Sequence, residues 1–215
     1  MATGGEIAEI VLETVDDDSF DEDAVIKLLN DCISMLSRRL ILPSLDTEAT
    51  VTTVTNAHSV ALPATFQRNL YHCQDGNDWN AIEVCNSKDQ LSRYYDPRLA
   101  KSNTYVKGVA AVRPLLYYAP RPIVATTLTL RFQRIPSVIT DSTEMDTILP
   151  QGFSDIFENY ATWKLFSKIE QGTDGAKVDT GYYMNLFLGM FDELKSSLTE
   201  GVSMPAPPVA RMERW

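Results

Sequence analysis

Two histidines and three cysteines are the side chains of this 215-residue sequence best suited to hold a metal or act as nucleophiles. His72, Cys73 and Cys85 could together supply three ligands to a zinc ion. Paired C-x-x-C and H-E-x-x-H spacings are absent from the sequence, and His58 belongs to no zinc-type spacing either. Adjacent strand residues also point to opposite faces, so His72 and Cys73 would not share a ligand sphere. We therefore expect no metal site and no cofactor.

Motifs of acyl-transfer enzymes and nucleotide-binding proteins are also absent from the sequence. It contains no G-x-S-x-G, G-x-G-x-x-G or G-x-x-x-x-G-K-[ST], and no strand is predicted before Gly4-Gly5. Glu158 and Glu170 lie twelve residues apart on one predicted helix, which only faintly suggests the carboxylate pair of a glycoside hydrolase. The sequence thus favours a protein that is not an enzyme. A cell-wall hydrolase remains the alternative from the enzyme class.

Acidic residues dominate the first 23 positions, which carry nine carboxylates and no Lys or Arg in a chain of net charge −10. The run lacks the Gly and terminal Glu of a calcium-binding EF-hand. It could be a solvated segment that favours a helix N-terminus, or an acidic face that docks on a basic partner. The candidate acidic face contains Asp16, Asp17, Asp18, Asp21, Glu22 and Asp23.

The overall negative charge also argues against a general nucleic-acid-binding protein, because neutralising phosphates requires clustered Lys and Arg. Duplex DNA could still pass along an acidic surface without sticking to it. Tyr94, Tyr95, Tyr117 and Tyr118 could in principle stack on bases. Without interleaved basic clusters, we expect these tyrosines to pack in the core or in interfaces.

Helical periodicity marks both ends of the chain. It predicts helices over residues 5–14, 21–40, 152–171 and 180–199. Asp21 is the predicted N-cap of the second helix, and Arg38 and Arg39 fall in its last turn, where cations are favourable. The short loop between the last two helices predicts an antiparallel pair. Trp163, Phe166 and Phe187 would give that pair more apolar surface than a single stripe can bury.

The middle of the chain has the alternation and β-branched residues of strands. Predicted strands cover residues 49–55, 59–62, 69–73, 81–85, 106–113, 115–118 and 125–133, with a short helix over 87–95. Asp75-Gly76 predicts a hairpin between the third and fourth strands. Cys73 and Cys85 could pair across these strands, although we expect reduced thiols, and Cys32 is predicted to be a buried core thiol.

These elements predict an α+β fold. Residues 1–43 and 137–201 would form a small helical bundle of antiparallel type, and residues 44–136 a mostly antiparallel β insertion. Residues 202–215 contain three prolines, which favour an extended C-terminal arm. This segment could be a disordered tail or could dock on a neighbouring protein. The candidate docking residues are Met204, Pro205, Pro207, Pro208, Arg211, Arg214 and Trp215.

Secretory and membrane-spanning segments are not predicted. The N-terminal sequence lacks a basic region followed by an apolar run, and no apolar stretch approaches the roughly 20 residues that cross a bilayer. We expect folding in a cytoplasm and no membrane association.

Several stretches, in their order along the chain, resemble the head–tail adaptor (connector) proteins of tailed bacteriophages. DEDAVIKLLNDCISMLSRRLILPSL is similar to the opening helix of the family with its closing "LP", and VALPATFQRNLYHC to its "LP-x-x-F-x-R" strand. LLYYAPRP followed by LTLRFQRIPSVIT is similar to its paired strands. The closing helix pair is recognised by "Y-A-x-x-K-L-F" and by the tyrosine-rich start of the last helix. The resemblance covers roughly residues 5–200 and does not include the C-terminal arm.

The resemblance implies a structural virion protein with no cofactor, assembled in the host cytoplasm and placed at the head–tail junction. Such proteins form a homo-oligomeric ring, often a dodecamer, beneath the portal protein. The ring extends the channel through which double-stranded DNA passes without sequence-specific binding, and it presents a docking surface to tail or neck proteins. A sibling neck protein, either a stopper or a tail-completion factor, is the alternative within this class.

Overall fold

The structure, a computed structural model, describes residues 2–76, 81–94, 105–170 and 178–200. Within them the chain forms five α-helices and seven β-strands, which confirms the predicted α+β class. The helices are α1 (Gly4–Val15), α2 (Glu22–Arg39), α3 (Lys88–Tyr94), α4 (Asp155–Ile169) and α5 (Val178–Glu200). The strands are β1 (Asp46–Thr52), β2 (Ser59–Ala61), β3 (Phe66–Asp75), β4 (Glu83–Cys85), β5 (Gly108–Val112), β6 (Leu115–Ala119) and β7 (Thr127–Arg134).

Two compact units share these elements. The first, the helical unit, comprises residues 1–42 and 137–215, and the second, the sheet unit, comprises residues 43–136. Helices α1, α2, α4 and α5 belong to the helical unit, whereas α3 and every described strand belong to the sheet unit. The helical core is therefore built from two segments that are far apart in the sequence.

A capping box begins α1. The Glu6 amide donates to Thr3 Oγ1 at 3.2 Å, and the Thr3 amide donates to Glu6 Oε2 at 2.8 Å, so two amides at the helix start are satisfied reciprocally. The next residue, Gly4, is buried against the chain that enters α4, and its amide donates to the Thr143 carbonyl at 2.9 Å. A side chain at position 4 would collide with the Thr140 carbonyl, so this close approach requires glycine.

The α2 helix begins and ends as the sequence predicts. Asp21 is its N-cap and accepts the Ala24 amide at 2.9 Å, while Arg38 and Arg39 lie in its last turn. Its buried stripe follows the predicted spacing and includes Cys32. Asn30, on the same helix, holds the linker before α4 by exchanging two hydrogen bonds with the Ile139 backbone, at 2.9 and 2.8 Å.

Helix α4 is the centre of the helical unit, because it packs against α1, α2 and α5. Ile156, Phe157, Ala161 and Leu165 are completely buried along it. Helix α5 packs differently: its extensive packing among the described residues is against α4, and Phe187 and Leu194 are the only buried residues among those of α5 whose burial is described. The described residues therefore leave most of the α5 surface uncovered.

Two sheets make up the sheet unit. The first has the strand order β1-β7-β3 and the second the order β2-β6-β5-β4, and every pairing is antiparallel except β4 with β5. The alternation predicted for β7 is confirmed, because Leu128, Leu130 and Phe132 are buried while Arg131 is exposed. The Phe66 and Phe132 rings pack in the same core with centroids 5.0 Å apart.

The hairpin predicted at Asp75-Gly76 is consistent with a short antiparallel contact between the two segments that flank it. A bridge joins Gln74 to Ala81, and the Ile82 amide donates to the Cys73 carbonyl at 2.9 Å. Residues 77–80 of the connection lie outside the described residues. Beyond Ile82, whose side chain is buried in the core, the chain enters the second sheet, where β4 runs parallel to β5.

Candidate interaction surfaces

The six candidate acidic residues are brought together on the connection between α1 and α2, which we call the acidic turn (residues 16–23). Asp16 has a left-handed backbone, φ 48°, and ends α1. Asp17 accepts the Ser19 amide at 2.9 Å, and hydrogen bonds from Ser19 lower the pKa of its carboxyl group. Asp21 caps α2, and Glu22 and Asp23 lie in its first turn, where the helix dipole favours them.

Part of the acidic turn therefore has a local structural role. This agrees with the interpretation that the acidic run favours a helix N-terminus. Asp18, Glu22 and Asp23 are exposed, and none of them caps a helix. Their carboxylates stand in solvent on one short connection. The docking interpretation of this segment stays a prediction.

A second surface lies on α5 and was not singled out from the sequence. Val178, Tyr182, Leu186 and Leu188 are 66%, 58%, 38% and 43% exposed, although all four are large apolar or aromatic residues. Val178, Tyr182 and Leu186 follow one another four residues apart and so form one row along the helix, whereas Leu188 lies on the other flank. We call Val178, Tyr182 and Leu186 the outer face of α5. Apolar residues on more than one side of a helix indicate that more than one side is buried. The sequence contains this pattern, but the prediction considered a single apolar stripe.

Two glycines lie on the same helix and leave room beside the outer face. A Cβ built at Gly181 or Gly189 would meet none of the described residues within 4 Å apart from the helix itself. Glycine inside a helix costs about 1 kcal/mol relative to alanine. The packing of the described residues therefore gives no reason for glycine at either position.

Aromatic side chains fill the contact between α4 and α5. The Trp163 ring stacks on Phe187 with centroids 5.7 Å apart, and Phe166 stacks on Tyr183 at 5.5 Å. The expectation that Phe187 adds free apolar surface is wrong, because its ring also packs against Tyr160 and is buried. Trp163 and Phe166 are half-buried, so the unburied apolar surface is contributed mainly by the outer face of α5.

The three side chains that could have bound a metal, His72, Cys73 and Cys85, do not lie together. Cys73 is buried in the core of the sheet unit, whereas the neighbouring His72 is exposed and contacts Gln74 at 3.2 Å. Cys85 lies on β4 in the other sheet. Among the described residues, no three His, Cys, Asp or Glu side chains are grouped as metal ligands would be.

The three cysteines are free thiols. Burial, with a smaller contribution from Asp75, raises the pKa of Cys73 to about 12, and burial raises the pKa of Cys85 above its ordinary value. Cys32 is completely buried, and this burial also raises its pKa. Since thiolates rather than thiols are nucleophiles, all three side chains are poorly reactive at neutral pH.

The two glutamates considered for hydrolysis are also far apart. Glu158 lies in the first turn of α4, and Glu170 follows the last residue of that helix. Twelve residues at 1.5 Å each place them roughly 18 Å apart along the helix axis, beyond the spacing of about 5–10 Å that glycoside hydrolysis needs. Burial first, and Asp155 second, raise the pKa of Glu158.

A pocket in the sheet unit collects cationic side chains from separate elements. It has a volume of about 250 Å³ and is lined by His58, Lys88, Leu91, Ser92, Tyr117, Tyr118 and Ala119. The Arg121 Nε donates to His58 Nε2 at 2.6 Å, and the Lys88 ammonium lies 4.5 Å from the centroid of the Tyr117 ring. We call His58, Lys88 and Arg121 with this cavity the basic pocket.

Of the four tyrosines that could stack on bases, Tyr117 and Tyr118 have side chains among the described residues. Tyr118 is buried, as expected, and its hydroxyl accepts the Val54 amide at 3.0 Å. Tyr117 is half-buried beneath Lys88. The Tyr94 side chain and all of Tyr95 lie outside the described residues, as do all seven candidate docking residues of the arm.

In the described part of the chain, no helix combines the length and the apolar character that crossing a membrane requires. Comparison with known proteins gives one family: the model described as SU10 adaptor protein matches residues 2–211. No curated protein matches the chain.

Proposed function

Because the chain belongs to the SU10 adaptor protein family, and is thus a structural adaptor of a phage particle, we propose that it forms a ring at the head–tail junction. The ring is homo-oligomeric, a dodecamer by the family resemblance, and binds beneath the portal protein. It extends the DNA channel and presents a new docking surface to tail or neck proteins. The ring has a structural role, because it connects two different sets of partners.

The outer face of α5 is the observation that carries this proposal. Its exposed apolar side chains lie on a long helix that is held by α4 on its opposite side. Burying side chains of this kind contributes about 1.5–3 kcal/mol each before the costs of association are subtracted. A second copy that covers the face would supply this burial, and repetition of such a contact around an axis closes a ring.

The open space at Gly181 and Gly189 supports the same assignment. Small residues let the backbone of a neighbouring element approach a helix closely. A packing partner at the outer face would explain why the chain carries two helix-weakening residues on α5. In this proposal the four helices of the helical unit act as one bundle that presents α5 to the next copy.

The net charge of −10 supports a role along a DNA path. Phosphates are repelled by a surface rich in carboxylates, so DNA can move past without being retained. We assign no base-reading residue to the chain.

The C-terminal arm, residues 202–215, is proposed to bind the portal. It combines proline-favoured extended geometry with Arg211, Arg214 and Trp215, residue types that dominate the energetics of protein interfaces. An arm that orders on binding could follow a groove of the portal without requiring a change in the folded units.

Removing the arm tests this part of the function. A chain that stops after Gly201 is expected to bind portal rings of the same phage at least about tenfold more weakly, because an interface loses its Trp and Arg anchors. Affinity is measured by co-sedimentation or interferometry with purified portal rings. The matched control is a full-length chain with Ser203→Ala, which leaves the anchors in place. Equal affinity of the truncated and full-length chains would remove the arm from the proposal.

A further inference from the structure

The basic pocket is unusual in this acidic chain because two cations lie at one cavity: Lys88 lines it with His58, and Arg121 contacts His58 beside it. Lys88 comes from α3, Arg121 follows β6, and His58 precedes β2. Arg121 contacts His58, and Lys88 contacts the Tyr117 ring, so neither cation contacts an acid through these interactions. Among the described residues, neither Lys88 nor Arg121 has a carboxylate within ion-pair distance.

His58 positions the Arg121 side chain and adds no charge of its own. Burial, followed by the charges of Arg121 and Lys88, lowers the pKa of His58. At neutral pH its Nε2 is therefore the acceptor for the Arg121 guanidinium, which is held beside the cavity. Two positive charges therefore flank a cavity whose apolar floor is formed by Leu91, Tyr117 and Ala119: Lys88 lines it, and Arg121 is held beside it by His58. Lys88 and Arg121 are both exposed, so a partner can reach them, and a partner that covers them would exclude water and strengthen the charge–charge contact.

We propose that the basic pocket receives the acidic turn, residues 16–23, of a second copy of the chain. This inference rests on the proposed ring and names one of its contacts. Carboxylates of the turn pair with Lys88 and Arg121, while the turn covers the apolar floor. Asp18 and Asp23 provide exposed charges for the contact, since neither of them caps a helix.

A second copy is favoured over DNA as the occupant for two reasons. A ring built from identical copies needs two different surfaces that complement each other on every chain, and the acidic turn and basic pocket meet this requirement. The net charge of −10 opposes close approach of DNA phosphates to the chain as a whole.

Charge reversal tests the contact by complementation. Variant one carries Lys88→Glu and Arg121→Glu, and variant two carries Asp18→Lys and Asp23→Lys. In each variant alone, the substituted positions face charges of their own sign across the contact, so copies are expected to pack beside one another at least about tenfold more weakly. In an equal mixture, copies of the two variants that alternate again pair positions 18 and 23 with positions 88 and 121 of opposite sign, and assembly is expected to return.

Assembly is measured as copies bound per portal ring by native mass spectrometry, which does not require a stable free oligomer. The matched control carries Lys27→Glu and Arg39→Glu, two exposed cations of α2, and is expected to fill rings like the wild type. Full rings from each variant alone, or a mixture that assembles no better than either variant, would overturn the contact. Loss of duplex DNA binding by variant one, with ring filling unchanged, would overturn it in favour of phosphate as the ligand.

The same measurement separates this inference from the proposed function. If the wild type and both variants fill portal rings equally, the ring stands and the turn–pocket contact fails. If the wild type itself adds no ring to the portal, the proposed function fails and this contact fails with it.

Discussion

A Leu186→Glu chain is expected to fold like the wild type and to fail in ring assembly. Leu186 is 38% exposed on α5, so a glutamate there reaches solvent in the single chain and, through the apolar burial it loses, should lower the free energy of unfolding by only about 1 kcal/mol. In the proposed ring the same position is covered by a second copy. A carboxylate buried there without a partner would weaken the contact about a hundredfold or more.

Two measurements on the same samples separate folding from assembly: urea unfolding of the free chain, and copies bound per portal ring. Ser197→Glu is the matched control, because Ser197 is an exposed polar residue on the same helix and the substitution adds the same charge. The control should fill rings normally. If Leu186→Glu fills rings as well as Ser197→Glu does, the outer face of α5 is not the contact between copies.

A Phe157→Ala chain is expected to lose about 3–5 kcal/mol of folding free energy, the usual cost of removing a buried phenylalanine ring. Phe157 is completely buried on α4, the helix that packs on α1, α2 and α5. Since small proteins are stable by only about 5–15 kcal/mol, this loss should markedly lower the urea concentration at which the helical signal disappears. Circular dichroism of the helices against urea measures it.

Phe153→Ala is the control for this substitution, because Phe153 is the same residue type only half-buried before the start of α4. It should cost clearly less than Phe157→Ala, since fewer neighbouring atoms lose contact. Equal losses at the two positions would mean that α4 does not organise the helical unit as described.

The helices could be predicted from the sequence because their signals are local. The α2 cap at Asp21 and the cations at Arg38 and Arg39 lie where short-range rules place them, and its apolar spacing identifies the buried side. The alternation of β7 likewise predicts the burial of Leu128, Leu130 and Phe132, although the neighbouring Gln133 is buried as well. Such elements depend on neighbours within a few residues, so the local sequence is sufficient to predict them.

The remaining features depend on contacts between distant residues. The crossing of the chain after Ile82 into the second sheet depends on β5, which begins more than twenty residues later. Arg121 and His58 are 63 residues apart in the sequence, so no sequence motif predicts the basic pocket. The outer face of α5 is defined by the packing of α4 against another side of that helix, which is a contact between separate elements.

Negative-stain imaging of the full-length chain mixed with portal rings of the same phage tests the central claim most directly. The account predicts an added layer of density on one end of the portal, coaxial with its channel and closed into a ring of copies. The Leu186→Glu chain in the same experiment should leave the portal without this ring. Portal particles that look the same with and without the wild-type chain would contradict the account.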